Sequence, residues 1–354
     1  MPRERANARD VESDAWESLT AVLVARLRFF ASLPLVLLLS LAASTASAAT
    51  SSGPPLPLGI EFLEPLGKGE WSLSYRYDRI EWDGNRDGRD KVSIAEIDED
   101  FDYLEAPIDQ TTDVHTFGLR WAPWSRLTLA LDIPYVRNRS NTALLDPWQG
   151  DSYATEAQGV GDLRIQALVP FMKKGQEVLQ VALGFAAPTG SIDYRDGFGR
   201  LLPYDMQISD GTWSFLSALT YHGYWNRTGW GVRGTVISRM GTNDHGYHVG
   251  PRYGITAWAT QGVTSWLSGS FRFGWSHQNN IRGDSTLGPP ANPASDGYLR
   301  GGDRIDLGPG VTLALPFFGE QHLSVEAMWP VYQNLDGPQL DRDWTVSTGW
   351  QWVF

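Results

Sequence analysis

Residues 344–354 read W-T-V-S-T-G-W-Q-W-V-F and end the chain. Trp344, Val346, Thr348, Trp350, Trp352 and Phe354 share one parity, while Asp343, Thr345, Ser347 and Gln351 share the other. Side chains alternate across a strand, so this stretch predicts a strand with one apolar and one polar face. Working back from it, the same period recurs. Trp71, Leu73, Tyr75 and Tyr77 alternate with Ser72, Ser74, Arg76 and Asp78. Leu127, Leu129, Leu131, Ile133 and Tyr135 alternate with Thr128, Ala130 and Asp132, and Leu163, Ile165, Ala167, Val169 and Phe171 oppose Arg164, Gln166 and Leu168.

Twelve such segments are expected, near 69–81, 113–122, 126–137, 160–171, 177–187, 212–223, 229–239, 251–260, 264–275, 304–317, 321–331 and 343–354. Each has the roughly ten residues a tilted strand needs to cross a bilayer. Short turns near 123–125, 172–176, 224–228, 261–263 and 318–320 alternate with long links at 82–112, 138–159, 188–211, 240–250, 276–303 and 332–342. All short turns then fall at one end, with both termini. The expectation is all-β: an antiparallel transmembrane barrel of about 12 strands, of the outer-membrane type, with short periplasmic turns and long external loops. A secreted β-sandwich or propeller would also alternate, but without this loop asymmetry or the terminal Phe354. Such a terminal aromatic resembles the signal read by the barrel assembly machinery, an expected partner during biogenesis.

Composition agrees. The 354 residues include 16 Trp, 13 Tyr, 14 Phe, 37 Gly and 21 Pro, no Cys, and a net charge of −12. There is no disulfide framework, thiol nucleophile or Cys-based zinc site, and the acidic balance argues against nucleic acid. One long apolar run, 29–43, follows Arg26 and Arg28 and leads to Ala46-Ser47-Ala48. That is the form of a secretory signal peptide over 1–48, with an over-long acidic start, rather than a membrane anchor. Residues 49–68 are expected to be a short periplasmic segment and 69–354 the barrel. The bacterial outer membrane follows as location, with its lipid and lipopolysaccharide as partners.

Strand parity turns a charged set inward: Arg76, Asp78, Arg120, Arg126, Asp132, Asp162, Arg164, Arg233, Arg252, Arg272, Arg304, Asp306 and Glu326. A lumen of twelve strands is wider than one that side chains fill and narrower than a porin's. Such charges either line a narrow path or pair and plug it. The third long link holds Tyr194, Phe198, Tyr204 and Met206, apolar for an external loop, and is expected either to gate the lumen or to pack on its neighbours. The first link, 83–110, holds ten Asp/Glu against three Arg/Lys. Asp83, Asn85, Asp87 and Gly88 match half of a calcium loop, but Ile94 stands where the closing Glu belongs, so Ca²⁺ is a weak candidate and no other cofactor is expected. His322 and Ser324 share a face, the pairing of barrel lipid hydrolases, yet near the periplasmic end. The enzyme reading is therefore subordinate to a channel for small solutes and to a plugged structural or cation-binding barrel.

G-V-G-D-L-R-I-Q-A-L-V-P-F (159–171), G-F-A-A-P-T-G-S-I-D (184–193) and Q-I-S-D-G-T-W-S-F-L-S-A-L-T-Y (207–221) resemble the outer-membrane proteins named for the meta-pathway of phenol degradation. Ser209 departs from the glycine usual in the last motif. The resemblance implies an outer-membrane transporter for small growth substrates, aromatic or carboxylate-bearing.

Overall fold

The computed structural model describes residues 54–60, 66–145, 150–283, 290–315 and 319–354. The signal-peptide expectation lies outside them. In chain order the elements are β1 (Trp71–Gly88), β2 (Asp90–Val92), α1 (Ile94–Phe101), β3 (Glu105–Trp124), β4 (Leu127–Leu144), β5 (Ser152–Val160), β6 (Leu163–Lys174), β7 (Glu177–Ala187), β8 (Trp213–Trp225), β9 (Thr228–Met240), β10 (Arg252–Gly262), β11 (Leu267–Gln278), β12 (Gly302–Leu315) and β13 (Glu320–Val353).

Eleven of the strands form a closed ring, with β2 and β5 as extra strands on β1 and β4. Every pairing around the ring is antiparallel. An odd number of straight strands cannot close that way, because the last would have to oppose two neighbours that already run oppositely. β13 resolves the conflict by crossing the wall twice. Residues 321–335 pair with β12 and residues 335–353 with β1. The reversal lies at Gly337, whose φ of +111° is open to glycine, and at Pro338. Gln333 clips the two arms by donating to the Arg342 carbonyl at 3.0 Å and accepting from its amide at 3.1 Å. The wall therefore has twelve crossings, the number the alternation predicts.

Polarity is inverted relative to a water-soluble core. Ser72, Ser74, Asp78, Arg120, Asp132, Gln180, Thr220, Glu326 and Ser347 are buried inside, while Leu129, Ile133, Ile165, Leu183, Phe185, Leu219, Val232, Ile255, Phe271, Val311 and Val325 are exposed outside. Lipid solvates that apolar belt, and ring closure pairs the backbone groups that lipid cannot. Trp71, Trp121, Trp124, Trp225, Trp230, Trp266 and Phe354 mark the short-turn rim, with Trp71 and Trp121 stacked at 5.4 Å. This is the aromatic girdle of an outer-membrane barrel.

The structure corrects the first two long links. β1, β3 and β4 continue well past the apolar belt, and β2 and β5 broaden that rim. Above Tyr77, His115 and Tyr135 the outer face carries ion pairs, Arg79–Glu81 at 2.7 Å, Arg139–Asp113 at 2.6 Å and Arg137–Glu156 at 2.9 Å. With the outer face charged as well, the hydrophobic alternation disappears, although the ladder does not. α1 starts with a capping box, Ser93 and Glu96, and Ile97 packs with Ala106 and Leu145.

A second correction concerns the segment expected in the periplasm. Residues 54–60, P-P-L-P-L-G-I, are seated inside the short-turn half of the barrel. Ile60 and Leu56 pack on an apolar patch of the inner wall formed by Ala130, Leu168, Ala182, Ala218 and Trp258. A cavity of only about 30 Å³ remains between this segment and Thr312, His322, Ser324 and Gln351. The physical reason is legible afterwards: those inward residues break the polar lining, and an apolar strip covers them.

Candidate functional site: a cationic chamber beneath the third loop

The long-loop half of the lumen holds a cavity of about 290 Å³. Its roof is the third loop, which folds inward because Met206, Leu202 and Ile208 bury themselves with Ala157 against the inner faces of β4 and β5. Tyr204 meets Tyr247 of the next loop edge-on at 4.8 Å. Both tyrosines line the cavity, as does Trp82 from β1.

The wall is cationic. Arg239, Arg252, Arg300 and Arg304 line it against Asp205 and Asp210. Arg239 Nε donates to Asp210 at 2.8 Å. Arg304 donates to Gln333 at 3.0 Å and lies over the Trp82 ring at 4.9 Å. Arg342 lies over the same ring at 4.6 Å and stands 3.6 Å from Asp306. The Arg252 side chain makes no hydrogen bond or ion pair among the described residues, feels Asp306 only at longer range, and is exposed to the cavity. Cations over a tryptophan face gain from its quadrupole, which holds two like charges side by side without a matching pair of acids. Burial pushes the Asp205 carboxyl above the usual carboxylate range, with Arg300 pulling the other way.

Below the chamber, charges neutralise each other. Arg76 bonds Asp78 at 2.7 Å, and Ser347 donates to Asp78. Arg120 bonds Asp132 at 2.7 Å, each side chain 5% exposed. Arg272 pairs with Glu326, buried beside Gly59 of the inserted segment. Asp162 accepts from the Gly190 amide at 3.2 Å. Arg164 and Arg233 lie on the inner parity of β6 and β9.

Three expectations need correction, and one alternative already set aside can be checked. Arg126 sits in the exposed turn between β3 and β4 and does not line the lumen. Of the gate candidates, Phe198 is 80% exposed and points away, while Tyr194 donates to the Gln158 carbonyl and so pins the loop to β5. Tyr204 and the buried Met206 form the roof. Asp83, Asn85 and Asp87 lie along the end of β1, where four residues of strand span about 13 Å and cannot encircle an ion; Asn85 spends its amide on the Pro107 carbonyl at 2.6 Å. Among the described residues no group of three acids or histidines could hold a metal. Finally, Ser324 shares a hydrogen bond with Thr312 at 2.9 Å while His322 lies 3.5 Å from Glu320, so the two do not form a nucleophile and base.

Trp82, Arg239, Arg300 and Arg342 were not anticipated. Arg342 shows why. Glu81 faces Trp344 but Trp82 faces Arg342, so one extra residue bulges on β13 and reverses the parity beyond it. Simple alternation from Asp343 and Thr345 would place Arg342 outside.

A family model described as "Putative MetA-pathway of phenol degradation" matches residues 104–322. The fold is similar to a COG4313 outer membrane channel from Pseudomonas putida F1, with a TM-score of 0.57 and 15% identity over 83% of this chain and 98% of that one. A FadL homologue from Pseudomonas aeruginosa aligns at a TM-score of 0.39 and 11% identity, over 80% of this chain and 90% of that one. No curated protein matches the chain. Together the matched family region, the closed twelve-crossing wall and the apolar outer belt give one conclusion: the chain belongs to the family of outer-membrane β-barrels described by the phenol-degradation MetA-pathway model.

Proposed function

We propose that the protein is an outer-membrane channel for uptake of small anionic solutes, aromatic carboxylates in particular. The observation that carries this reading is the chamber wall, where four arginines face two aspartates and the Arg252 side chain has no hydrogen bond or ion pair among the described residues. An arginine set of this kind raises the local concentration of anions and discriminates by charge. Trp82, Tyr204 and Tyr247 supply aromatic surface at the same place, and the guanidinium fork suits a carboxylate.

Single-channel recordings of the folded mature protein under a salt gradient test it. Wild type is expected to conduct with anion preference. Arg252→Ala reduces that preference several-fold, and Arg252→Glu reverses it. Cation preference in wild type, or an unchanged reversal potential in both variants, rejects the assignment. A second reading, a barrel with a permanently blocked lumen, is favoured by the apolar segment 54–60 inside the wall. Its signature is silence from protein shown to be folded.

A further inference from the structure

The roof of the chamber carries a carboxylate of its own. Asp205 lies in a short 3₁₀ turn, Tyr204–Met206. Its backbone carbonyl accepts from Asn138 at 3.3 Å and from Gln110 at 3.5 Å, so the inner wall grips the turn from behind. Its side chain turns into the chamber, and 27% of it is open there.

The partner of that carboxylate is Arg300, and the two are poorly joined. Asp205 Oδ2 stands 3.6 Å from Arg300 Nη2, beyond hydrogen-bond length. Asp205 Oδ1 and Arg300 Nη1 are both buried without any hydrogen-bond partner. The second pair from the same loop is different: Asp210 meets Arg239 at 2.8 Å. A guanidinium and a carboxylate in free apposition form two parallel short bonds. Here the backbone anchors of Asp205 hold its carboxylate short of that geometry, and a donor on Arg300 stays unsatisfied.

We propose that Asp205 is an internal competitor, standing where the carboxylate of a solute docks on Arg300. A small carboxylate, free of the loop, makes the paired bonds that Asp205 cannot, and so displaces Asp205 together with the turn that roofs the chamber. Solute binding and opening of the third loop are thereby one equilibrium, since a ligand shifts a conformation only through differential affinity for its two states. This rests on the anionic-solute reading above and adds an affinity-determining residue to it.

The test uses the full mature barrel in detergent micelles, with benzoate as the probe and benzyl alcohol as its neutral counterpart. Calorimetric titration is expected to show Asp205→Asn binding benzoate at least tenfold tighter than wild type. Asp193→Asn, on the same loop but exposed and bonded to His245, keeps the wild-type affinity, and benzyl alcohol shows no gain in any of the three. An Asp205→Asn affinity equal to or weaker than wild type overturns the competitor role and leaves the anionic-solute reading standing. No benzoate binding by either protein overturns both. Wild type alone supplies a second readout that no folding defect can obscure. Benzoate, and not benzyl alcohol, should speed tryptic cleavage after Arg195 and Arg200 of the loop several-fold. Cleavage indifferent to benzoate, in protein that binds it, rejects the coupling.

Discussion

Asp132→Ala is expected to lower the stability of the folded barrel by about 3–5 kcal/mol, the usual cost of stranding one member of a buried ion pair. Arg120 and Asp132 face each other across β3 and β4 at 2.7 Å, each 5% exposed. Arg120 also donates to the Leu131 carbonyl at 3.1 Å, but a neutral carbonyl does not supply the charge that Asp132 brings. The pair fits because residue 118 is glycine: a Cβ there would stand 2.2 Å from Ser74 Oγ and 3.0 Å from Asp132 Oδ1. The measurement is the urea midpoint of the unboiled, fast-migrating band on a gel. Arg120→Met combined with Asp132→Leu should recover most of the loss, because apolar groups of similar volume need no partner. If the single variant keeps the wild-type midpoint, the pair is not a structural element of the lumen.

Ile60→Asp should raise single-channel conductance several-fold. Ile60 is 2% exposed and sits on an apolar patch of the inner wall, Ala130, Leu168, Ala182, Ala218 and Trp258. A carboxylate buried there has no counter-charge from those five residues, and an unpaired buried charge is expelled rather than tolerated. The inserted segment then leaves its seat and the short-turn half of the lumen fills with water. Trp258→Ala removes the floor of the seat and should act in the same direction, more weakly. Conductance equal to wild type in both variants, with folded protein, would show that segment 54–60 does not limit the path.

How legible was the molecule? Around the apolar belt the sequence was a good guide. β7 was bounded correctly, and Ser72, Ser74, Asp78, Asp132 and Ser347 turn inward as their parity requires. The reason is solvent contrast: lipid outside and polar groups inside force opposite chemistry on alternate residues. Where that contrast stops, the reading stopped too. The upper part of β1, the first eight residues of β3 and all of β5 have water on the outside, and on the inside they meet polar groups interrupted by single small apolar residues, Ala106 and Ala157, that pack on the helix and the third loop. Nothing in hydropathy separates such strands from loops.

The chamber was legible only in part. Arg252, Arg304 and Tyr204 were anticipated as inward or gating residues, and they line it. Trp82 and Arg342 were not, because one lies where a loop was expected and the other behind a bulge. Arg126 was misplaced for the opposite reason, an alternation extended one residue into a turn.

The sequence alone therefore determined the architecture, the number of wall crossings and the membrane setting. All of these follow from period-two alternation and from the need to pair every backbone group in lipid. Tertiary structure alone decided which charges cancel and which stay available. Arg76, Arg120 and Arg272 look like Arg252 in sequence, yet Asp78, Asp132 and Glu326 stand within ion-pair distance of the first three, whereas among the described residues the Arg252 side chain has only the longer-range attraction of Asp306. Ion pairing depends on distances of a few ångströms across neighbouring strands, and those are set by bulges, turn lengths and the return of residues 54–60 and the third loop into the lumen.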